Sequence, residues 1–298
     1  MKSKVGQEAG RDSPLKAWVR ALEMTAPIAQ NPANTLPVLI DSLAERFGTA
    51  PALLSGNESL TYRGLAERSN QYAQWALRQG LSFGDVVCLL MQNSLEYIAI
   101  WLGITRVGGV VSLVNINLVG DALAYAINLV APKHVIVGAA LVEAFAAVVP
   151  KLPPEIQNWA HGENSLGFSR IDHEIERLEG NSVAGSEFRP PTIADRALYI
   201  YTSGTTGLPK AVNVSHFRVM QWSHWFAGMM DTRPEDRIYN CLPMYHSVGG
   251  VAAIGAALVN GGSVVLRERF SASRFWDDVV ESKSTIFQYI GELCRYLV

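Results

Sequence analysis

Apolar and polar positions along this chain fall into blocks that alternate between strand length and helix length. "DVVCLLM" at 85–91 is an unbroken apolar run of strand length, and "NSLEYIAIWLGITRVG" after it has helical spacing, with Asn93 and Glu96 placed as a capping box and Gly108 just past the end. "GVVSLVN", "GDALAYAINLV", "HVIVG" and "ALVEAFAAVV" repeat the order as far as Pro150. Continuous apolar strands belong to sheets buried on both faces, so the pattern predicts right-handed βαβ units and a parallel-rich sheet covered by helices. Upstream, "ALLSGNESLTY" reads as a hairpin turning at Gly56-Asn57, and "YRGLAERSNQYAQWALRQG" as an amphipathic helix stopped by Gly80.

Residues 151–192, with Pro153-Pro154, "HGENSLG", "EGNSVAGSEF" and Pro190-Pro191, break the pattern and predict a connector. Alternation then resumes: strand "ALYIY", a polar loop, strand "AVNV", and a helix from Ser215 through "HFRVMQWSHWFAGMM". "RIYNCL", "VGGVAAIGAALVN", "SVVLRE", "SRFWDDVVESK" and "TIFQYI" continue it, and "GELCRYLV" begins another helix. There is no internal repeat. The reading is an extension over 1–35, a first α/β subdomain over 36–185, and a second over 186–298 that stops inside an element.

In the extension, Ser13-Pro14 starts a helix that places Leu15, Trp18, Val19 and Leu22 on one face, with Lys16 and Arg20 off that stripe. Such a helix either docks against its own domain or makes a peripheral membrane contact through residues 14–24. Lys2, Lys4 and Arg11 are followed by no continuous apolar run, so no signal peptide is expected. The 29 residues between Arg237 and Arg267 are uncharged, but Asn260-Gly261-Gly262 stops a helix within them and "SVVL" follows. A buried helix and a buried strand are expected there, and no transmembrane segment.

Composition narrows the function. The 298 residues are 49% hydrophobic and 17% charged with a net charge of −2, which suits a globular protein and excludes the basic footprint of a nucleic-acid binder. Cys88, Cys241 and Cys294 form neither a disulfide framework nor a zinc spacing, so a reducing cytoplasm is expected, with Cys88 and Cys241 as small core residues and no metal ligand assigned.

One stretch is chemically unusual. "YIYTSGTTGLPKAVNVSH" at 199–216 concentrates Thr202, Ser203, Gly204, Thr205, Thr206 and Gly207 ahead of Pro209 and Lys210. Hydroxyls, together with backbone amides that glycine lets approach a ligand, suit phosphate oxygens, and Lys210 adds a positive charge. It is not the GxxxxGK[ST] phosphate loop, because Pro209 stands where that pattern needs Gly and Ala211 follows the lysine. A plain polar hairpin has the same composition, so residue types alone leave both readings open.

"YIYTSGTTGLPKA" resembles the nucleotide-binding signature of the adenylate-forming (AMP-binding) superfamily of acyl-CoA synthetases, firefly-type luciferases and peptide-synthetase adenylation domains. "CLPMYHSVGG" at 241–250 resembles its second signature. "FQYIGELCRYLV" resembles a segment of the fatty-acid-transport-protein and very-long-chain acyl-CoA synthetase branch, to which Ala211 also points. With "GGVVSLVNINLVGDAL", the resemblance covers most of 36–298.

The resemblance implies the N-terminal α/β domain of that superfamily, parallel-rich sheets in αβαβα layers, incomplete at the C-terminus. It implies a ligase that uses ATP and Mg2+ to turn a fatty carboxylate into acyl-AMP, which coenzyme A then takes up as a thioester. Thr202 to Gly207 would hold the β- and γ-phosphates with Lys210 in support, positioning and stabilising charge. His246 would stand beside the acyl and adenylate pocket. A cytoplasmic protein is expected, either free or peripheral at the inner face of a membrane.

Other residues have simpler readings. His216 and His224 are expected as ordinary helix-face residues, and Glu292 and Arg295 either join Tyr289 in shaping the site or form a plain i, i+3 pair. The superfamily's downstream signature with its magnesium-binding Glu, its ribose-binding Asp, its hinge and its C-terminal lid domain with a catalytic Lys have no match here. The expectation is therefore the front part of a longer synthetase for long- or very-long-chain fatty acids. The alternatives are a catalytically silent fragment with residual nucleotide binding, or a ligase for aryl or bile-acid-like carboxylates.

Overall fold

The computed structural model describes residues 13–183, 185, 187–203 and 208–297. Ser13 caps α1 (Pro14–Thr25), and α2 (Leu36–Phe47) leads into a hairpin of β1 (Pro51–Ser55) and β2 (Glu58–Thr61). There follow α3 (Tyr62–Arg78), β3 (Val86–Leu90), α4 (Leu95–Arg106), β4 (Val110–Leu113), α5 (Gly120–Asn128), β5 (His134–Gly138) and α6 (Val142–Ala146). β6 (Gln157–His161), β7 (Ser169–Arg170) and α7 (Ile171–Ile175) precede the long hairpin of β8 (Arg196–Ser203) and β9 (Pro209–Ser215). Then come α8 (His216–Met230), β10 (Arg237–Asn240), α9 (Ala253–Leu258), β11 (Ser263–Leu266), α10 (Phe275–Glu281), β12 (Ile286–Gln288) and α11 (Gly291–Cys294).

The strands form a seven-stranded sheet, β7-β6-β5-β3-β4-β8-β9, and a five-stranded sheet, β12-β10-β11-β1-β2. Every pairing is parallel except those within the hairpins β8–β9 and β1–β2. Period-two alternation explains why β3 reads as a continuous apolar run. Val87 and Leu89 face a central core shared with α2, α3, α4, α8 and α9, while Val86, Cys88 and Leu90 face a second core under α5 and α6. In the other sheet Ile238, Val264 and Leu266 join the central core, and Tyr239 and Val265 face a third under α10 and α11. The result is the expected αβαβα stack. Arg106, buried in the helix layer, forks onto Asp41 at 2.6 and 2.7 Å and ties α4 to α2.

Several local expectations change. The stretch 151–192 is more than a connector: β6 pairs with β5 along all five residues and β7 and α7 follow, because the Pro and Gly signals mark the ends of a strand of which only Trp159 and Ala160 are buried. The cap of α4 is Ser94, whose Oγ accepts the Tyr97 amide, leaving Asn93 and Glu96 for other partners. The helix expected over 140–149 is regular only over α6. The two sheets do not separate at residue 185: β1–β2 joins the later strands, and β8–β9 joins the earlier ones.

The uncharged stretch after Arg237 holds a π-helical turn over Val248–Ala252, then α9 and β11, all in the core. No helix among the described residues is long and apolar enough to cross a membrane. Helix α1 does dock on α8, but through Ala17 and Ala21, and its stripe of Leu15, Trp18, Val19 and Leu22 is exposed.

Candidate active site

In open α/β sheets, ligands gather beyond the carboxyl ends of the strands. β8 runs parallel to β4 with Leu113 opposite Ile200, so the β8–β9 hairpin projects its tip beyond that end. Thr202 pairs across the hairpin with Lys210, and Ser203 with Pro209, which places an exposed hydroxyl and an exposed ammonium chain at the mouth of the loop. Gly204, Thr205, Thr206 and Gly207 lie outside the described residues. Beneath the mouth, Tyr201 points into the core, donating to Ala126 O at 2.6 Å and meeting Ser112 Oγ at 2.8 Å, which anchors β8.

The His246 loop leaves the carboxyl end of β10 in the other sheet. Asn240 Nδ2 donates to Gly249 O at 2.8 Å, and Asn240 Oδ1 accepts the Leu242 amide at 3.3 Å. Asn93, from the loop after β3, accepts the Met244 amide at 2.9 Å and donates to Leu242 O and Arg267 O, both at 2.9 Å. One side chain therefore joins the loops of both sheets. Gly249 and Gly250 let the loop lie directly on the π-helical turn: a Cβ on Gly250 would stand 1.8 Å from Met244 O. A π-turn at such a place is a frequent mark of a functional site.

Tyr245 is buried, and its hydroxyl accepts from Asn117 Nδ2 at 2.9 Å, in the loop after β4. The β4 end thus borders the hairpin on one side and the His246 loop on the other. His246 is exposed, with its ring 4.6 Å from that of Tyr245. Partial burial lowers its pKa, so the imidazole is neutral at pH 7 and offers one donor and one acceptor. The buried Tyr97 hydroxyl has no hydrogen-bond partner.

The remaining expectations divide. His216 is buried, with its pKa pushed down to about 4 by desolvation, and His224 bonds Met220 O, so neither joins this site. Glu292 and Arg295 form an exposed pair at 3.4 Å, while Tyr289 stacks on Phe287. Burial pushes the Cys88 thiol up to about 12 and that of Cys241 to about 11, as inert core residues require. Asn93, Asn117, Asn240 and Tyr245 were not among the sequence candidates. The asparagines show no signal beyond polar residues near the ends of apolar strands, whereas Tyr245 stands beside His246 within the second signature.

The profile of the AMP-binding enzyme family matches residues 40–298. The chain belongs to this family. Among its relatives, rat (Rattus norvegicus) long-chain fatty acid transport protein 1 is 36% identical over 275 residues, 89% of this chain and 42% of that protein. The medium/long-chain fatty-acid CoA ligase FadD6 of Mycobacterium tuberculosis is 32% identical over 92% of this chain and 45% of its own length. The chain thus spans less than half the length of these relatives. Among solved structures, the N-terminal domain of FACL13 from Mycobacterium tuberculosis superposes with a TM-score of 0.78 at 22% identity, covering 89% of this chain and 64% of that one. ATP-bound MatB from Rhodopseudomonas palustris gives 0.71 at 23% identity, covering 86% and 49%. These likenesses establish the fold as the N-terminal domain of an adenylate-forming enzyme, and the β8–β9 hairpin and the His246 loop both lie within the residues that the family profile matches.

Proposed function

We infer that this AMP-binding chain carries the phosphate-gripping part of an ATP-dependent ligase that activates long- or very-long-chain fatty acids as acyl-CoA. The observation behind this reading is the convergence of two loops: the Thr202–Lys210 hairpin mouth and the Tyr245–His246 loop both border the carboxyl end of β4. The hairpin holds the β- and γ-phosphates of ATP through Thr202, Ser203, Gly204, Thr205, Thr206 and Gly207, with Lys210 beside them. A fatty carboxylate oxygen attacks the α-phosphorus, the bond to the bridging oxygen breaks, and pyrophosphate leaves. Lys210 and the loop donors stabilise the charge that grows on the leaving group. His246 lines the pocket as a neutral imidazole and holds the acyl phosphate by hydrogen bonding. The coenzyme A thiol then displaces AMP.

Magnesium would partly neutralise the phosphates. Among the described residues no group of three or more His, Cys, Asp or Glu stands together to hold a metal. The hairpin offers hydroxyls, amides and a lysine, which suit phosphate oxygens, so a magnesium ion would be held there chiefly by the ATP phosphates themselves. The location we infer is the cytoplasm, at the inner face of a membrane.

Fatty-acid-dependent exchange of labelled pyrophosphate into ATP tests the reading on the purified chain. Exchange that disappears in the Lys210→Ala, Thr205→Ala double variant is the expected result. Absence of exchange with every acid overturns it in favour of a silent fragment. Exchange with aryl or bile-acid-like carboxylates alone would move the substrate class.

A further inference from the structure

Apart from the edge of Trp18, helix α1 keeps its large apolar side chains off its docking face. Its buried residues are Ala17 and Ala21, and a Cβ on Gly228 of α8 would stand 2.5 Å from Ala21 Cα, so the two helices meet through their smallest residues. Arg20 Nε donates to Gly228 O at 2.6 Å and pairs with Asp231, and Trp18 packs edge-on against Trp225 at 5.1 Å. Mounted this firmly, the helix holds Leu15 at 73% exposure, Trp18 at 53%, Val19 at 43% and Leu22 at 55%. Exposed Ala26, Pro27 and Ala29 continue beyond it. Single exposed apolar residues are ordinary, but a complete i, i+3, i+4, i+7 stripe held toward water by a docked helix marks a surface that meets something apolar.

Charge selects the occupant. Residues 1–25, to the end of α1, contain Lys2, Lys4, Arg11, Lys16 and Arg20 against Glu8, Asp12 and Glu23, a net of +2 in a chain whose total is −2. A basic segment running into a helix with an exposed Trp and two Leu matches the chemistry of an anionic bilayer surface, where indole and leucine enter the acyl boundary and lysine or arginine meets headgroups. A second copy fits poorly, since one stripe on a 12-residue helix falls well short of the roughly 800 Å² that each partner of a standard interface buries.

We propose that α1 is an interfacial anchor seating this protein on an anionic phospholipid surface through Leu15, Trp18, Val19 and Leu22. This gives the membrane location inferred above its surface, and vesicle binding needs neither ATP nor a fatty acid, so its outcome is separate from that of the catalytic reading. The test is co-sedimentation of the full chain with phosphatidylcholine vesicles, with and without phosphatidylglycerol. Binding is expected to the anionic vesicles, to weaken in about 0.5 M salt as charges are screened, and to fall at least about tenfold in the Leu15→Ser, Leu22→Ser double variant. Val280→Ser, at an equally exposed apolar site on α10, serves as the control and should bind unchanged. Equal binding to neutral and anionic vesicles, unchanged binding by the double variant, or a dimer that the double variant dissolves would each overturn the proposal.

Discussion

Asn93 shows how much one side chain can organise. Its amide nitrogen donates to carbonyls on two loops and its oxygen accepts the Met244 amide, so two of its bonds hold the His246 loop against the end of β3 and the third ties in the loop after β11. Asn93→Ala would leave these backbone groups unpaired in a partly buried setting, a loss of about 2–4 kcal/mol at about 1 kcal/mol or more per group. Asn93→Asp should be no better, because a carboxylate would face the Leu242 and Arg267 carbonyl oxygens. Urea unfolding with an unchanged slope and a lowered midpoint in both variants is the expected outcome, and a wild-type midpoint in Asn93→Ala would refute the role. This residue also marks the limit of what the sequence discloses about the site. Thr202, Lys210 and His246 became candidates through their neighbours along the chain. Asn93 and Asn117 act across the two sheets, through contacts separated by more than a hundred residues, which no local pattern records.

At the scale of elements, the strands of the parallel sheets and the long helices follow their apolar runs, because burial on two faces leaves a continuous signature. What escaped the pattern was small or short. β6 has two buried residues between proline and glycine signals, and the contact of α1 with α8 rests on Ala17, Ala21 and Gly228, whose small side chains add little to any apolar periodicity. Reading only the large residues identified the α1 helix and misplaced its docking face. Gly228→Val tests the assignment: its Cβ would meet Ala21 Cα at 2.5 Å and Ala21 N at 2.8 Å, so α1 must lift away. Hydrogen exchange over 14–25 should accelerate at least about tenfold while the central sheets stay protected. Leu22→Ser should leave that exchange unchanged, since Leu22 is exposed.

For the whole molecule, buried histidines couple stability to pH. Desolvation pushes His216 down to about 4 and lowers His134 and His224 as well, so the fold disfavours their charged forms. The unfolded chain takes up these protons near pH 6.5, whereas folded His216 resists them until about pH 4. Stability is therefore fully present above the unfolded value and is lost as pH falls between about 6.5 and 4, with His216 responsible for about 3 kcal/mol. The carboxylates act in a lower window. Burial would raise Glu96, but His161, Tyr72 and Arg68 outweigh it; Asp172 is likewise held down by Arg170, so their contributions disappear only as pH falls below the ordinary carboxylate range. Urea midpoints should thus decline from pH 7.5 to 6 to 5. His216→Phe should remove most of that decline without a large loss at pH 7.5, because Nε2 of this fully buried ring has no hydrogen-bond partner to forfeit. A wild-type midpoint that stays level from pH 7.5 to 5, or a decline that persists in the variant, would assign the acid sensitivity to groups other than His216.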